Sequence, residues 1–439
     1  MLNIKQLILL TCIVVLAGQQ GFAQGQGSEK LTLAQAVSRA ISSHPLVLRS
    51  QSDVTAAQAA VGEAQSAYYP SITGSASYTR VEPNQSVAFP GLGTFALSQE
   101  NNWNVHIGVA QVLYAAGRRA FTVELAQVET AAARVGVEQA KINIAYQTVQ
   151  AFYTALFVQK QIQSIDRQLS DLQQHLSVIQ GKQETGSATK YDVLATGVRV
   201  AAMKNDLIEA QNQERKQLIA LKGLVGLSPT SQIDLEGSLP EAGALDAGQS
   251  SYLAQAHANR PDMKQAMSVE DSAGLDLQLV RVEGLPTVSA RAQTGFKNGL
   301  LPDESSLTFN WSAGVEVSVP IFNGLEVANK IKQAQGKLEA AKQNSAAVGR
   351  IITTQVLQAY QDVAASRQQV KGSLAQMEQA LQALDEAKVQ YNLGVITNVE
   401  YLDAESSLEQ AQFANLSSIY HEVMSEYALK QAVGQQIWR

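Results

Sequence analysis

The chain has 439 residues, 45% of them hydrophobic and 16% charged, with only 10 prolines: too apolar for general disorder and long enough for two ordinary domains. Its formal charge of -6 and its lack of any basic cluster exclude a nucleic-acid surface, because phosphate binding rests on clustered Lys and Arg that release counterions.

The first predicted element is a leader. Lys5 precedes an apolar run from Leu7 to Ala17, and Gly21-Phe22-Ala23 puts small residues where a signal peptidase reads, so residues 1–23 are expected to be a signal peptide cleaved after Ala23. The run is about a dozen residues, whereas a helix needs roughly 20 to cross the hydrocarbon core. Cys12, the only cysteine, lies inside that run, so the rest of the chain has no disulfide, no thiolate nucleophile and no sulfur metal site. Downstream there is no stretch of 18 consecutive apolar residues, which excludes a conventional transmembrane helix. Any membrane crossing must use strands.

A helical stretch over about 31–68 comes next. Two segments of period two follow: Ile72, Gly74, Ala76 and Tyr78 alternate with Ser71, Thr73, Ser75, Ser77 and Thr79, and Trp103, Val105, Ile107 and Val109 alternate with Asn104, His106, Gly108 and Ala110. The loop between them, Glu82 to Asn102, is rich in Pro, Gly, Asn and Ser. From 118 to 185 no proline interrupts a helical pattern in which Val158, Ile165, Leu172 and Ile179 interleave with Ile162, Leu169 and Leu176 in seven-residue series. Such a run predicts one rod of roughly 100 Å at 1.5 Å per residue. A shorter helix over 188–225 returns.

The same order then recurs. A helix over 250–283 leads to strands carrying Val288, Ala290 and Ala292, then Phe309, Trp311, Ala313, Val315, Val317 and Val319, joined by the loop Asn298 to Ser306. A second rod over 325–393 carries Val363, Val370, Met377, Leu384 and Tyr391 every seven residues, joined by Leu374 and Leu381, and a helix over 396–433 returns. Landmarks align in order: His44-Pro45 with Arg260-Pro261 and Tyr69-Pro70 with Leu285-Pro286, both 216 residues apart, then Trp103 with Trp311, Gly186 with Gly394 and Gly226 with Gly434, all 208 apart. We therefore expect an internal duplication, with repeats at 24–239 and 240–439.

The predicted fold class is mainly α with a membrane β part. Heptads alone would also suit a periplasmic coiled-coil structural or adaptor protein without a pore, but such a protein has no need of four two-faced strands, and an adaptor should carry an inserted lipoyl-like or barrel domain that is not visible. Four strands cannot close a barrel, and edge N–H and C=O groups left unpaired in hydrocarbon cost several kcal/mol each, so several protomers must contribute.

In this arrangement, together with Tyr69-Pro70 and the Val319-Pro-Ile-Phe-Asn-Gly turn into the second rod, the sequence resembles the TolC family of outer-membrane factors over essentially its whole length after the leader. The resemblance implies a homotrimer set in outer-membrane lipid and extending into the periplasm, a composite barrel above a tube of helices, and two partners: a periplasmic adaptor and an inner-membrane pump. The channel would conduct efflux or type I secretion cargo passively.

It also implies site residues. The turns ending the rods, at Gly186, Ser187 and Ala188 and at Gly394, Val395 and Ile396, match the hairpin tips that the adaptor contacts, although a tight capped hairpin alone would need the same residues. Thr189 or Asn398 is expected to start the returning helix. Glu400 and Asp403, three apart on one helix face, match the acidic rings that narrow the family's entrance, with plain solvated acids as the alternative. Asp192 and Tyr391 match positions that latch the entrance. Ile396 stands where the best-studied members carry an arginine, so one polar latch is expected to be missing. The five histidines, His44, His106, His175, His257 and His421, show no ligand spacing, and no catalytic motif or cofactor site is apparent.

Overall fold

The computed structural model describes residues 29–83, 86–91, 93–96, 99–240, 248–298 and 305–438. The predicted signal peptide lies outside them, as do parts of both loops that join strands. The chain runs β1 (Glu29–Thr32), α1 (Leu33–Ser43), α2 (Pro45–Ser66), β2 (Ser71–Arg80), β3 (Ser86–Phe89), β4 (Gly93–Ala96), β5 (Asn101–Tyr114), α3 (Arg118–Glu184) and α4 (Lys190–Val225). It continues through β6 (Ile233–Glu236), α5 (Gln249–Asn259), α6 (Pro261–Glu283), β7 (Thr287–Lys297), β8 (Thr308–Ser318), α7 (Glu326–Asn392) and α8 (Asn398–Ala432).

Two helices expected to be continuous are broken by proline. His44, between α1 and α2, is held extended at φ -67°, ψ 130°, and Arg260, between α5 and α6, at φ -58°, ψ 122°. Each precedes a proline whose ring excludes the α region, and each proline opens the next helix, where a missing N–H costs nothing.

Four strands form one antiparallel sheet in the order β2-β5-β7-β8. Its register segregates the two faces. Ile72 pairs with Val109, Ala76 with Val105 and Tyr78 with Trp103, whose rings lie 4.6 Å apart. Val288 pairs with Val317, Ala290 with Val315 and Phe296 with Phe309. All of these lie on one side, where Trp311 is 71% exposed and Val315 67%. The opposite side carries Ser71, Thr73, Ser77 and Asn104, a Ser75–His106 hydrogen bond of 2.9 Å, and an Arg291–Glu316 ion pair at 3.5 Å. β2 and β8 each pair on one side only, so both edges of the sheet are open among the described residues.

Two further pairings have no counterpart among the expected elements. β1 runs parallel to β6, and β3 with β4 makes a hairpin inside the first loop. Strands of four residues are too short for alternation to register.

α3 and α7 have 67 residues each, which makes them rods of roughly 100 Å. α3 folds back on α4 and α7 on α8, and α8 also packs against α3. Around the middle of the rods, Phe152, Leu156, Val149 and Ile144 of α3 meet Val37, Val47, Leu221 and Val225 in one core, and Ile352, Val356 and Val363 of α7 meet Leu429 and Val433 in another. The heptad residues Ile165, Leu169 and Leu172 of α3 pack against Val200 and Met203 of α4. In α7 only part of the expected series is covered. Leu374 and Leu381 stay nearly half exposed, because α8 lies along another face of α7, where Ser366 bonds Ser425 at 2.9 Å, Ser373 bonds Ser418 at 2.6 Å, and Arg367 donates to Glu426 at 2.9 Å. Among the described residues no helix is long and apolar enough to cross a membrane.

Candidate functional site

The two turns at the far ends of the rods are built alike. α3 ends at Glu184, and Gly186 adopts φ 79°, which lets the Ser187 amide reach back to the Lys182 carbonyl at 2.7 Å. α7 ends at Asn392, Gly394 adopts φ 72°, and the Val395 amide reaches the Gln390 carbonyl at 2.9 Å. A left-handed residue followed by this six-to-one bond satisfies carbonyls that the helix end leaves open, and glycine takes the conformation without a Cβ penalty. The turn geometry thereby places Ser187 and Ala188 after the first rod and Val395 after the second, with Val395 70% exposed.

Each returning helix opens with a capping box. Thr189 caps α4: its hydroxyl accepts from the Asp192 amide at 3.1 Å, while its own amide donates to the Asp192 carboxylate at 2.9 Å. In the second turn the cap is Thr397, not the expected Asn398. The Thr397 hydroxyl accepts from the Glu400 amide at 3.3 Å and its amide donates to Glu400 Oε2 at 2.7 Å. That amide, together with the Thr397 hydroxyl donating to the same oxygen at 2.9 Å, holds the Glu400 carboxyl below the usual range. Asp403, one turn on, is exposed and stands 3.8 Å from Arg199 of α4.

Behind the turns a cluster of rings joins the two hairpins. His175 of α3 stacks on Tyr401 of α8 with centroids 4.3 Å apart, and its edge meets Tyr391 of α7 at 5.5 Å. Lys182 lies over the Tyr391 ring at 4.2 Å. Burial raises the Tyr391 phenol, and the nearby Asp192 carboxylate adds to the shift, so the structure does bring these two predicted residues into electrostatic reach. Ile396 is half-buried against the same apolar cluster as Tyr391. Asn398 is buried, with Oδ1 accepting from His175 Nε2 at 2.8 Å and Nδ2 donating to Thr196 Oγ1 at 3.1 Å.

A second group escaped the sequence. Glu405 and Glu409, one turn apart on α8, face a cavity of about 230 Å³ lined also by Gln168 and Leu172 of α3 and by Arg199 and Asp206 of α4. Burial, with Asp171 and Glu409 adding to it, pushes the Glu405 carboxyl up to about 7 against the opposing pull of Arg199. Its Oε2 is buried without a hydrogen-bond partner. The one-turn spacing of two acids is visible in the sequence; the partners, more than 190 residues away along the chain, are not.

The sequence profile of the outer membrane efflux protein family matches residues 36–227 and 252–435. The chain belongs to the outer membrane efflux protein family. It is an outer-membrane protein with a place in efflux and transport. It is 23% identical over 435 residues to the outer membrane efflux protein BepC of Brucella suis biovar 1, covering 97% of this chain and 90% of BepC. With the alkaline protease secretion protein AprF of Pseudomonas aeruginosa it shares 25% identity over 289 residues, 64% of this chain and 59% of AprF. Its fold is that of the Campylobacter jejuni CmeC outer membrane channel, with a TM-score of 0.79 at 18% identity over 92% of this chain and 85% of CmeC.

Proposed function

We propose that three copies of this chain form a passive channel-tunnel, each giving four strands to a closed barrel in the outer membrane and four helical columns, the two rods and two made of shorter helices stacked end to end, to a periplasmic tube. The observation that carries this reading is the sheet: it has one largely apolar exposed face, one polar face and two open edges. In hydrocarbon open edges are untenable, and joining β8 of one copy to β2 of the next removes them. The helices call for neighbours as well. α4 leaves Tyr191, Leu194, Val198 and Ile208 each at least 60% exposed, and α7 leaves Leu374, Leu381 and Val389 uncovered, two apolar stripes that neighbouring copies would cover.

The chain is read as two repeats, 24–239 and 240–439, following the removed leader 1–23. Glu400 and Asp403 form the acidic constriction at the periplasmic entrance, where clustered carboxylates favour cations. Asp192 and Tyr391 hold it closed. Gly186, Ser187, Ala188, Gly394, Val395 and Ile396 form the tips on which a periplasmic adaptor docks, and an inner-membrane pump supplies the energy for efflux or type I secretion.

Single cysteines test the barrel, since Cys12 leaves the described chain free of native thiols. In the oligomer, Trp311→Cys should be reached by a lipid-borne probe and Ser312→Cys by a water-soluble thiol reagent, and cross-linking should stop at three chains. Equal access of the aqueous reagent to both positions would sink the barrel reading.

A further inference from the structure

We propose that Asn398 is an internal lock of the closed entrance, one buried side chain bonded to both helices of the neighbouring hairpin so that α8 cannot leave them without breaking it. The proposal rests on the reading of the rod ends as the channel entrance.

Asn398 does not cap its helix. It is the first residue of α8, and the residue before it, Thr397, makes the cap, so the side-chain amide of Asn398 is free to turn inward. Only 4% of the residue is exposed. Its Oδ1 accepts from His175 Nε2 of α3 at 2.8 Å, and its Nδ2 donates to Thr196 Oγ1 of α4 at 3.1 Å and to the Asp192 carbonyl at 3.4 Å. Thr196 has no exposed surface, and its hydroxyl donates in turn to the Asp192 carbonyl at 2.8 Å.

Around this node the hairpins meet through apolar side chains, Leu172, Val200, Met203 and Leu402, together with Tyr401 and the half-buried Ile396. Apolar contacts are non-directional and tolerate sliding, whereas buried hydrogen bonds hold only in one geometry and leave costly unpaired groups when broken. The Asn398 node therefore fixes where the start of α8 stands against α3 and α4. The stack of His175 on Tyr401, and the edge it presents to Tyr391, extend that constraint to the second helix of the hairpin. Swinging α7–α8 outward would strip His175 and Asn398 of their hydrogen bonds to each other and take from Thr196 the one it accepts across the seam.

The test is single-channel conductance of purified oligomers in planar bilayers. Asn398→Leu keeps the branched, four-heavy-atom shape of the side chain and removes the bonds; its conductance should rise several-fold over the wild type. His175→Leu should do the same, and the double Leu variant should add little, as for two members of one node. His175→Gln keeps a donor though not the ring, and its conductance should lie well below that of His175→Leu, which a purely packing role for the ring would not allow. Should Asn398→Leu fail to assemble, Thr196→Val breaks the same node from α4 with almost no change in shape. Wild-type conductance in Asn398→Leu or Thr196→Val, in an oligomer that the Glu400→Ala/Asp403→Ala pair does open, overturns the lock and leaves the entrance reading standing. Additive increments from His175→Leu and Asn398→Leu also overturn it. A wild-type oligomer silent with every one of these variants removes the entrance reading itself.

Discussion

Asp192 and Glu400 hold the same post in the two hairpins: each is the third residue of its returning helix and accepts the amide of the threonine that caps it, Thr189 at 2.9 Å and Thr397 at 2.7 Å. The family resemblance marks both as entrance residues, and both have a carboxylate oxygen already committed to the turn. Thr397→Ala should therefore loosen the first turn of α8 by about 1 kcal/mol, seen as roughly five-fold faster amide exchange at Glu400 and Tyr401. Unchanged exchange there would mean that the box contributes nothing to the turn.

The same geometry makes the two acids of the proposed constriction unequal. Glu400 is held by Thr397, whereas among the described residues Asp403 has only Arg199 at 3.8 Å, a distance at which an exposed pair is weak. Cation block should thus fall further in Asp403→Ala than in Glu400→Gln. Arg199→Ala, which frees Asp403, should strengthen block. Equal effects of the two single variants would contradict this ranking.

Glu405 gives a pH dependence with a definite sign. Its carboxyl is raised to about 7 from 4.5, so the packed state prefers the protonated form. That preference stabilises the α8 contact with α3 and α4 fully below the unfolded value and is lost as pH rises through about 7. Protection of the amides around Glu405, taken as exchange relative to the intrinsic rate at each pH, should fall between about pH 4.5 and 7, and Glu405→Gln should remove that fall. His175 carries the opposite sign: burial lowers its pKa, so its contribution is present at neutral pH and is lost as acid protonates it. A Glu405→Gln protein with the wild-type pH profile would rule out this assignment.

Two glycines with similar backbone angles should respond differently to alanine. Gly394, at φ 72°, has open space where a Cβ would stand, so Gly394→Ala meets only the left-handed backbone cost of about 1 kcal/mol. Gly434 has the same φ, but a Cβ there would lie 3.0 Å from the Arg260 amide nitrogen and 3.1 Å from its Cα. Gly434→Ala must push α5 and α6 off the end of α8 and should lower the yield of heat-resistant oligomer well below that of Gly394→Ala. Matching yields would show that this junction gives way easily.

How far the sequence can be read depends on whether a feature repeats along the chain. Proline-free heptads set the rods at 118–185 and 325–393, within one residue of α3 and α7 at each end, and period-two alternation locates β2, β5, β7 and β8. β1 and β6 pair across about 200 residues of chain with four residues each, too little pattern to notice. Leu374 and Leu381 look like core positions because the heptad is apolar, but α8 lies along the face of α7 that carries Ser366 and Ser373. At the candidate site the glycines follow from helix-stop chemistry, while the roles of the acids and Tyr391 come from the family resemblance. Asn398 reads as a cap because asparagine caps well; that Thr397 takes this role, and that His175 is the partner of Asn398 rather than a solvated side chain, follows only from α3 lying beside α8.

Conduction through an acidic entrance at the rod ends is tested most directly by planar-bilayer conductance of the detergent-extracted oligomer, with divalent or trivalent cations added to one side at a time. Small, cation-selective steps blocked from one side only are expected of the wild type, with larger steps and weaker block in the Glu400→Ala/Asp403→Ala protein. An intact trimer that passes no current, in the wild type and in the double variant alike, would contradict this reading of the molecule.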